Sequence, residues 1–126
     1  MRKPVVLIVD DNAKNLKLAT DVLSVNGFDA LRATTGAEGI ALAAKHQPDV
    51  ILMDLRLPDM DGTDAARRLA EGRRTARIPV VALTSLRLEG DVDWLRAAGF
   101  AGYLEKPISV RDFAGQVRSF CGGAEC

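Results

Sequence analysis

The chain has 126 residues, of which 48% are hydrophobic and 27% charged, enough for one domain with a buried core. Its 17 Lys and Arg balance 17 Asp and Glu, which speaks against a nucleic-acid surface, since that needs a basic excess on one face. Arg67, Arg68, Arg73, Arg74 and Arg77 crowd one segment and read as a solvated helix and loop.

In chain order, the apolar run 5–9 is a short buried strand that ends at Asp10 and Asp11. It is too short for the apolar region of a signal peptide, and no stretch is long enough to span a membrane, so the expected setting is cytoplasmic. Asn12 suits a helix N-cap. The helix is expected over 13–25, with Leu16, Ala19 and Leu23 on its buried stripe and Asn26-Gly27 stopping it. A second strand over 28–33 is less apolar and so nearer an edge. After a turn at Thr34, Thr35 and Gly36, the next helix is expected to bury Ala37, Ile40, Ala41 and Ala44 and to close at His46, Gln47 and Pro48.

The third strand, over 49–54, reads as covered on both faces, because Val50, Ile51, Leu52 and Met53 run unbroken into Asp54. A loop with Pro58 and Gly62 follows. A third helix over 63–70 places Ala66 and Leu69 inward, and 71–77 is a surface connection. The fourth strand over 78–83 admits Pro79 at its beginning and ends at Thr84-Ser85. A fourth helix over 89–98 faces Leu95 to the core, leaves Trp94 partly exposed and closes at Gly99. The fifth strand over 101–104 leads into Glu105-Lys106-Pro107. Ser109 is expected to N-cap a last helix with the stripe Val110, Phe113, Val117 and Phe120. Cys121 and Cys126 read as thiols, with neither a disulfide framework nor a zinc site around them. The ordered core is expected over about residues 3–120 of a single domain spanning 1–126.

Five alternations of strand and helix point to an α/β fold with a parallel sheet and right-handed crossovers. The expected architecture is a doubly wound (βα)5 sheet of order 2-1-3-4-5. In such a sheet, ligands bind outside the carboxyl ends of the strands where the order reverses. The reversal lies between the first and third strands, which carry Asp10, Asp11 and Asp54. Three neighbouring carboxylates raise one another's pKa unless a cation neutralises them. With a carbonyl and waters they suit Mg²⁺ or Mn²⁺. Lys106 and Thr84 complete a clamp for phosphoryl oxygens. The Asp54 carboxylate, already ionised, is then the nucleophile that forms an aspartyl phosphate.

In these residues the chain resembles the receiver domains of two-component response regulators. The matching segments are Ile8-Val9-Asp10-Asp11-Asn12, Ile51-Leu52-Met53-Asp54-Leu55 with Leu57-Pro58 and Met60-Asp61-Gly62, Ile78-Pro79-Val80-Val81-Ala82-Leu83-Thr84, and Lys106-Pro107-Ile108. The resemblance implies a flavodoxin-like fold. It further implies that Asp11 ligates the metal directly, that Asp10 helps through water, and that the Arg56 carbonyl completes the site. Asp54 is the phosphorylated residue, Thr84 bonds the phosphoryl group, Lys106 pairs with it, and the Lys106-Pro107 bond is cis. Tyr103 is the aromatic that moves with Thr84. Arg56 and Leu86 flank the pocket where the lifetime of the phosphoryl group is tuned. The donor is a phosphohistidine on a histidine kinase or phosphotransfer protein, and the receiver is a self-phosphorylating acceptor rather than a turnover enzyme.

With Asn12, Asn15 and Ser109, the pattern is most similar to single-domain cell-cycle receivers and to receivers of hybrid kinases. The expectation is a stand-alone receiver that signals to an effector protein, with no nucleic acid and no membrane, through its fourth helix, fifth strand and fifth helix near Trp94, Tyr103 and Arg111. The alternatives are a receiver segment of a hybrid histidine kinase and a receiver that binds partners without phosphorylation. A metal-dependent phosphatase commonly has a second acid two residues after its strand-end aspartate, and here that position is Arg56. A flavin or nucleotide module needs a Gly-rich or Ser/Thr-rich phosphate loop where this chain has Asp10-Asp11-Asn12.

Overall fold

The computed structural model describes residues 3–84 and 93–121. Along the chain run β1 (Val5–Val9), α1 (Ala13–Val25), β2 (Asp29–Ala33), α2 (Gly36–His46), β3 (Val50–Asp54), α3 (Gly62–Glu71), β4 (Val80–Thr84), α4 (Asp93–Ala97), β5 (Gly102–Glu105) and α5 (Phe113–Phe120). The five strands form one sheet of order β2-β1-β3-β4-β5, and every pairing is parallel. Ser85, Leu86 and the expected helical residues 89–92 lie outside the described residues.

The unbroken apolar runs of β1, β3 and β4 follow from burial on both faces of the sheet. Val6, Ile8, Val50, Leu52, Val81 and Leu83 pack with residues of α1 and α5 on one face. Leu7, Val9, Ile51, Met53, Val80 and Ala82 pack with α2, α3 and α4 on the other. Alternate residues of one strand therefore feed two different cores. β2 lies at an edge, and its burial is correspondingly incomplete.

α1 has the expected bounds, and Leu16, Ala19 and Leu23 are buried in it. The Asn12 side chain accepts from the amides of Lys14 at 2.9 Å and Asn15 at 3.1 Å, a cap that contributes about 1 kcal/mol. In α3, Gly62, Ala65, Ala66 and Leu69 are buried.

Expectations for α2 and α5 are corrected. The buried stripe of α2 is Gly36, Gly39 and Ala43, whereas Ala37 and Ala41 are exposed and Ile40 and Ala44 only half-buried. A Cβ at Gly39 would lie 2.7 Å from a Val9 methyl, so α2 meets the sheet through its glycines. A periodicity counted on apolar side chains misses that face. At the C-terminal end, α5 starts at Phe113 with Asp112 at its N-cap instead of the expected Ser109, and Val110 is 63% exposed. Residues 110–112 form a turn, with the Asp112 amide donating to Ser109 Oγ at 3.3 Å. The helical phase of Phe113 and Val117 is not carried back through that turn, so Val110 leaves the stripe.

Candidate functional site

Parallel pairing brings the strand ends to one rim. Val9 lies opposite Met53 in the register of β1 and β3, so Asp10 and Asp54 follow side by side. Thr84 lies opposite Glu105, and the Lys106 amide donates to the Thr84 carbonyl at 2.8 Å. Residues distant in sequence therefore share one edge because each ends a strand running in the same direction.

Asp10 is fully buried. Its Oδ1 accepts from the Asn12 amide at 2.9 Å. Its Oδ2 accepts from Asn15 Nδ2 at 3.3 Å and from Lys106 Nζ at 2.9 Å. Asp54 Oδ1 accepts from the Arg56 amide at 3.1 Å and Oδ2 from Lys106 Nζ at 3.0 Å. One ammonium thus bridges two carboxylates. Asp11 is exposed beside them, and carboxylate oxygens of Asp10, Asp11 and Asp54 all lie within 4.8 Å of one another.

Burial raises the Asp54 carboxyl above the usual aspartate value, and the nearby Asp10 charge acts in the same direction. The Arg56 amide and Lys106 oppose this without cancelling it. For Lys106, burial works to lower the pKa, but its bonds to Asp10 and Asp54 prevail and hold it above the usual lysine value. Three hard oxygen donors crowded around one lysine fit a small divalent cation such as Mg²⁺ better than a soft metal. An exposed member, Asp11, keeps the cluster open to solvent.

The loop from β3 to α3 folds back on itself, with Arg56 paired to Asp61 as an isolated bridge and the Gly62 amide donating to the Leu55 carbonyl at 2.8 Å. A Cβ at Gly62 would fall 2.3 Å from the Asp54 carbonyl oxygen, so only glycine admits this close return to the end of β3. Thr84 is 2% exposed at the end of β4. The Lys106-Pro107 peptide is cis. Tyr103 is half-buried on β5 and lines a surface cleft with Leu95, Arg96, Gly102 and Phe120. Trp94 is 44% exposed on α4, and Arg111 is exposed.

Sequence reasoning gave no local role to Asn15 or Asp59. Asn15 is three residues after the N-cap, a spacing that returns its side chain to the helix start. Asp59 spans to another helix, and no local spacing signals that.

A sequence model of the family described as the response regulator receiver domain matches residues 6–118. The polar-differentiation response regulator DivK of Brucella ovis is 38% identical over 119 residues, covering 94% of this chain and 97% of that protein. Among solved structures, the receiver domain of the sensor histidine kinase PA1611 from Pseudomonas aeruginosa has a TM-score of 0.84 at 29% identity, covering 98% of this chain and all (100%) of that one. That structure carries a magnesium ion coordinated in its active site cleft. The chemotaxis response regulator CheY4 of Vibrio cholerae has a TM-score of 0.87 at 24% identity, covering 94% of this chain and 98% of that one, and shares the fold.

Proposed function

The chain belongs to the response regulator receiver family, and on that premise we propose that it accepts a phosphoryl group from a phosphohistidine donor onto Asp54. The observation that carries the proposal is the rim where Lys106 Nζ bridges Asp10 and Asp54 beside exposed Asp11. An oxygen of the Asp54 carboxylate bonds to phosphorus as the P–N bond breaks, and the electron pair leaves with the imidazole nitrogen. No general base is needed, because the nucleophile is a carboxylate.

Lys106 exchanges one carboxylate partner for a phosphoryl oxygen, so its charge is compensated before and after transfer. Thr84 Oγ1 bonds the incoming group, and Tyr103 responds to that change on the neighbouring strand. Asp10, Asp11, Asp54 and the Arg56 carbonyl hold Mg²⁺, in keeping with the oxygen-only donor set and with the magnesium-bearing cleft of the PA1611 receiver. When bound, the cation supplies neutralisation of charge on the phosphoryl oxygens.

The donor is a histidine kinase or histidine phosphotransfer protein. The readout is contact between an effector protein and the face formed by α4, β5 and α5, near Trp94, Tyr103 and Arg111. The chain works as a phosphorylated signal and not as a turnover enzyme. Incubation with Mg²⁺ and phosphoramidate, a small P–N phosphodonor, is expected to add one phosphoryl group to the intact protein, and Asp54→Asn to abolish the addition. A wild type that stays unmodified, or a labelled Asp54→Asn, contradicts the reading.

A further inference from the structure

The loop between β3 and α3 contains the Arg56 carbonyl assigned above to the metal, and its tip is anchored on α2. Asp59 Oδ1 accepts from the Gly36 amide at 2.8 Å and Oδ2 from the Ala37 amide at 3.0 Å. Both carboxylate oxygens are therefore spent on the first turn of α2, whose unpaired amides and positive dipole end favour an anion. The Ala37 and Gly36 amides hold the Asp59 carboxyl below the usual aspartate value. Beside it, Met60 packs where Gly36 has no side chain, since a Cβ there would lie 2.6 Å from Met60 Cγ. The tip is thus seated by two hydrogen bonds and one apolar contact.

α2 already has its own cap, because Thr35 Oγ1 accepts from the Glu38 amide at 3.1 Å. Asp59 takes two different amides, Gly36 and Ala37, and joins two segments 22 and 23 residues apart. At the other end of the loop, the Arg56–Asp61 bridge and the Gly62–Leu55 bond close its base. With base and tip both tied, the backbone between them has little freedom.

We propose that Asp59 is a positioning residue for the phosphoacceptor site, holding the β3–α3 loop against α2 so that the Arg56 carbonyl is fixed toward the metal position. This rests on the receiver reading above and goes beyond it by assigning work to a residue outside the pocket. The Asp59 carboxylate bonds the Gly36 and Ala37 amides and not Asp54. Its effect passes through the backbone, much as outer partners orient ligands in other metal sites.

The test is Mg²⁺ affinity by calorimetric titration, with thermal unfolding of the metal-free protein measured in parallel. Asp59→Ala is expected to weaken Mg²⁺ binding about tenfold, the low end for outer partners of a metal site. Asp59→Asn, which keeps one acceptor oxygen, is expected to recover part of the loss. Thr35→Ala removes the local cap of α2 without touching the loop, so it is expected to lower Tm and leave Mg²⁺ affinity unchanged. Amide hydrogen exchange in residues 55–61 is expected to quicken in Asp59→Ala only. Wild-type affinity in Asp59→Ala, or equal weakening by Thr35→Ala, overturns the positioning role while leaving the receiver reading intact. A wild type that binds no Mg²⁺ and accepts no phosphoryl group overturns both.

Discussion

Asp49 and Asp54 stand at opposite ends of the same buried strand, and their exposure barely separates them. Asp49 is 9% exposed as a residue, and the Asp54 side chain is 14% exposed. Their surroundings do separate them. Asp49 Oδ2 accepts from the Val5 amide at 2.7 Å, and its own amide donates to the Val5 carbonyl at 2.8 Å. It stitches the start of β3 to the start of β1. Asp54 shares its rim with Asp10 and Asp11 and has a lysine across from it. An acid that accepts from the backbone of a neighbouring strand holds a fold together. An acid crowded by like charge stores electrostatic cost that a cation relieves. The contrast shows that burial alone does not mark a reactive carboxylate, whereas crowding by other carboxylates does.

The largest effect that would sharpen this contrast is on labelling. Asp54→Asn is expected to lose all phosphorylation and keep the fold, whereas Asp49→Ala is expected to be labelled like wild type. Next comes Lys106→Met, which leaves buried Asp10 beside Asp54 with no ammonium. It is expected to cost about 3 kcal/mol of stability, read by urea denaturation at pH 7, with much of the loss recovered on adding Mg²⁺. Failure of Mg²⁺ to restore stability would break the link between the lysine and the metal position. Asp49→Ala is expected to cost about 2 kcal/mol, because the Val5 amide loses its acceptor; the same denaturation experiment checks it, and here Mg²⁺ should give no specific recovery.

The smallest effect is on pH dependence. Asp54 is raised first by burial. A carboxyl raised in the folded state favours folding while it is protonated, and that contribution is lost as pH rises through its folded value. Asp54→Asn is therefore expected to be more stable than wild type at pH 7, with the gap closing as pH falls toward the ordinary aspartate value of 3.8. Lys106 is raised too, so its contribution is present below its ordinary value of 10.5 and lost at higher pH. Melting temperatures of both proteins across pH would expose either sign as wrong.

The sheet order and the rim were legible in the sequence because buried parallel strands appear as plain apolar runs, and each run here stops at a residue with chemistry. The cap at Asn12 was legible because its partners lie within the next turn. The inward face of α2 was not, since Gly36 and Gly39 carry no apolar signal and their meaning lies in Val9 and Met60 opposite. Val110 was misplaced because a helical spacing was extended through a turn. Asp49 and Asp59 gave no signal for a shared reason: each accepts from backbone amide groups far along the chain, and nothing local to an aspartate announces a distant amide. The arginine-rich connection hid Thr75, 4% exposed, whose hydroxyl donates to the Leu69 carbonyl at 2.6 Å.

The most direct test lies within β3 itself. After treatment with Mg²⁺ and phosphoramidate, borohydride reduces an aspartyl phosphate to homoserine, and mass spectrometry of the peptide spanning residues 49–54 locates the change. The expected result is homoserine at 54 with Asp49 unaltered. Homoserine at 49 or at any other aspartate, or an unreduced peptide throughout, would contradict the assignment of Asp54 as the phosphoacceptor.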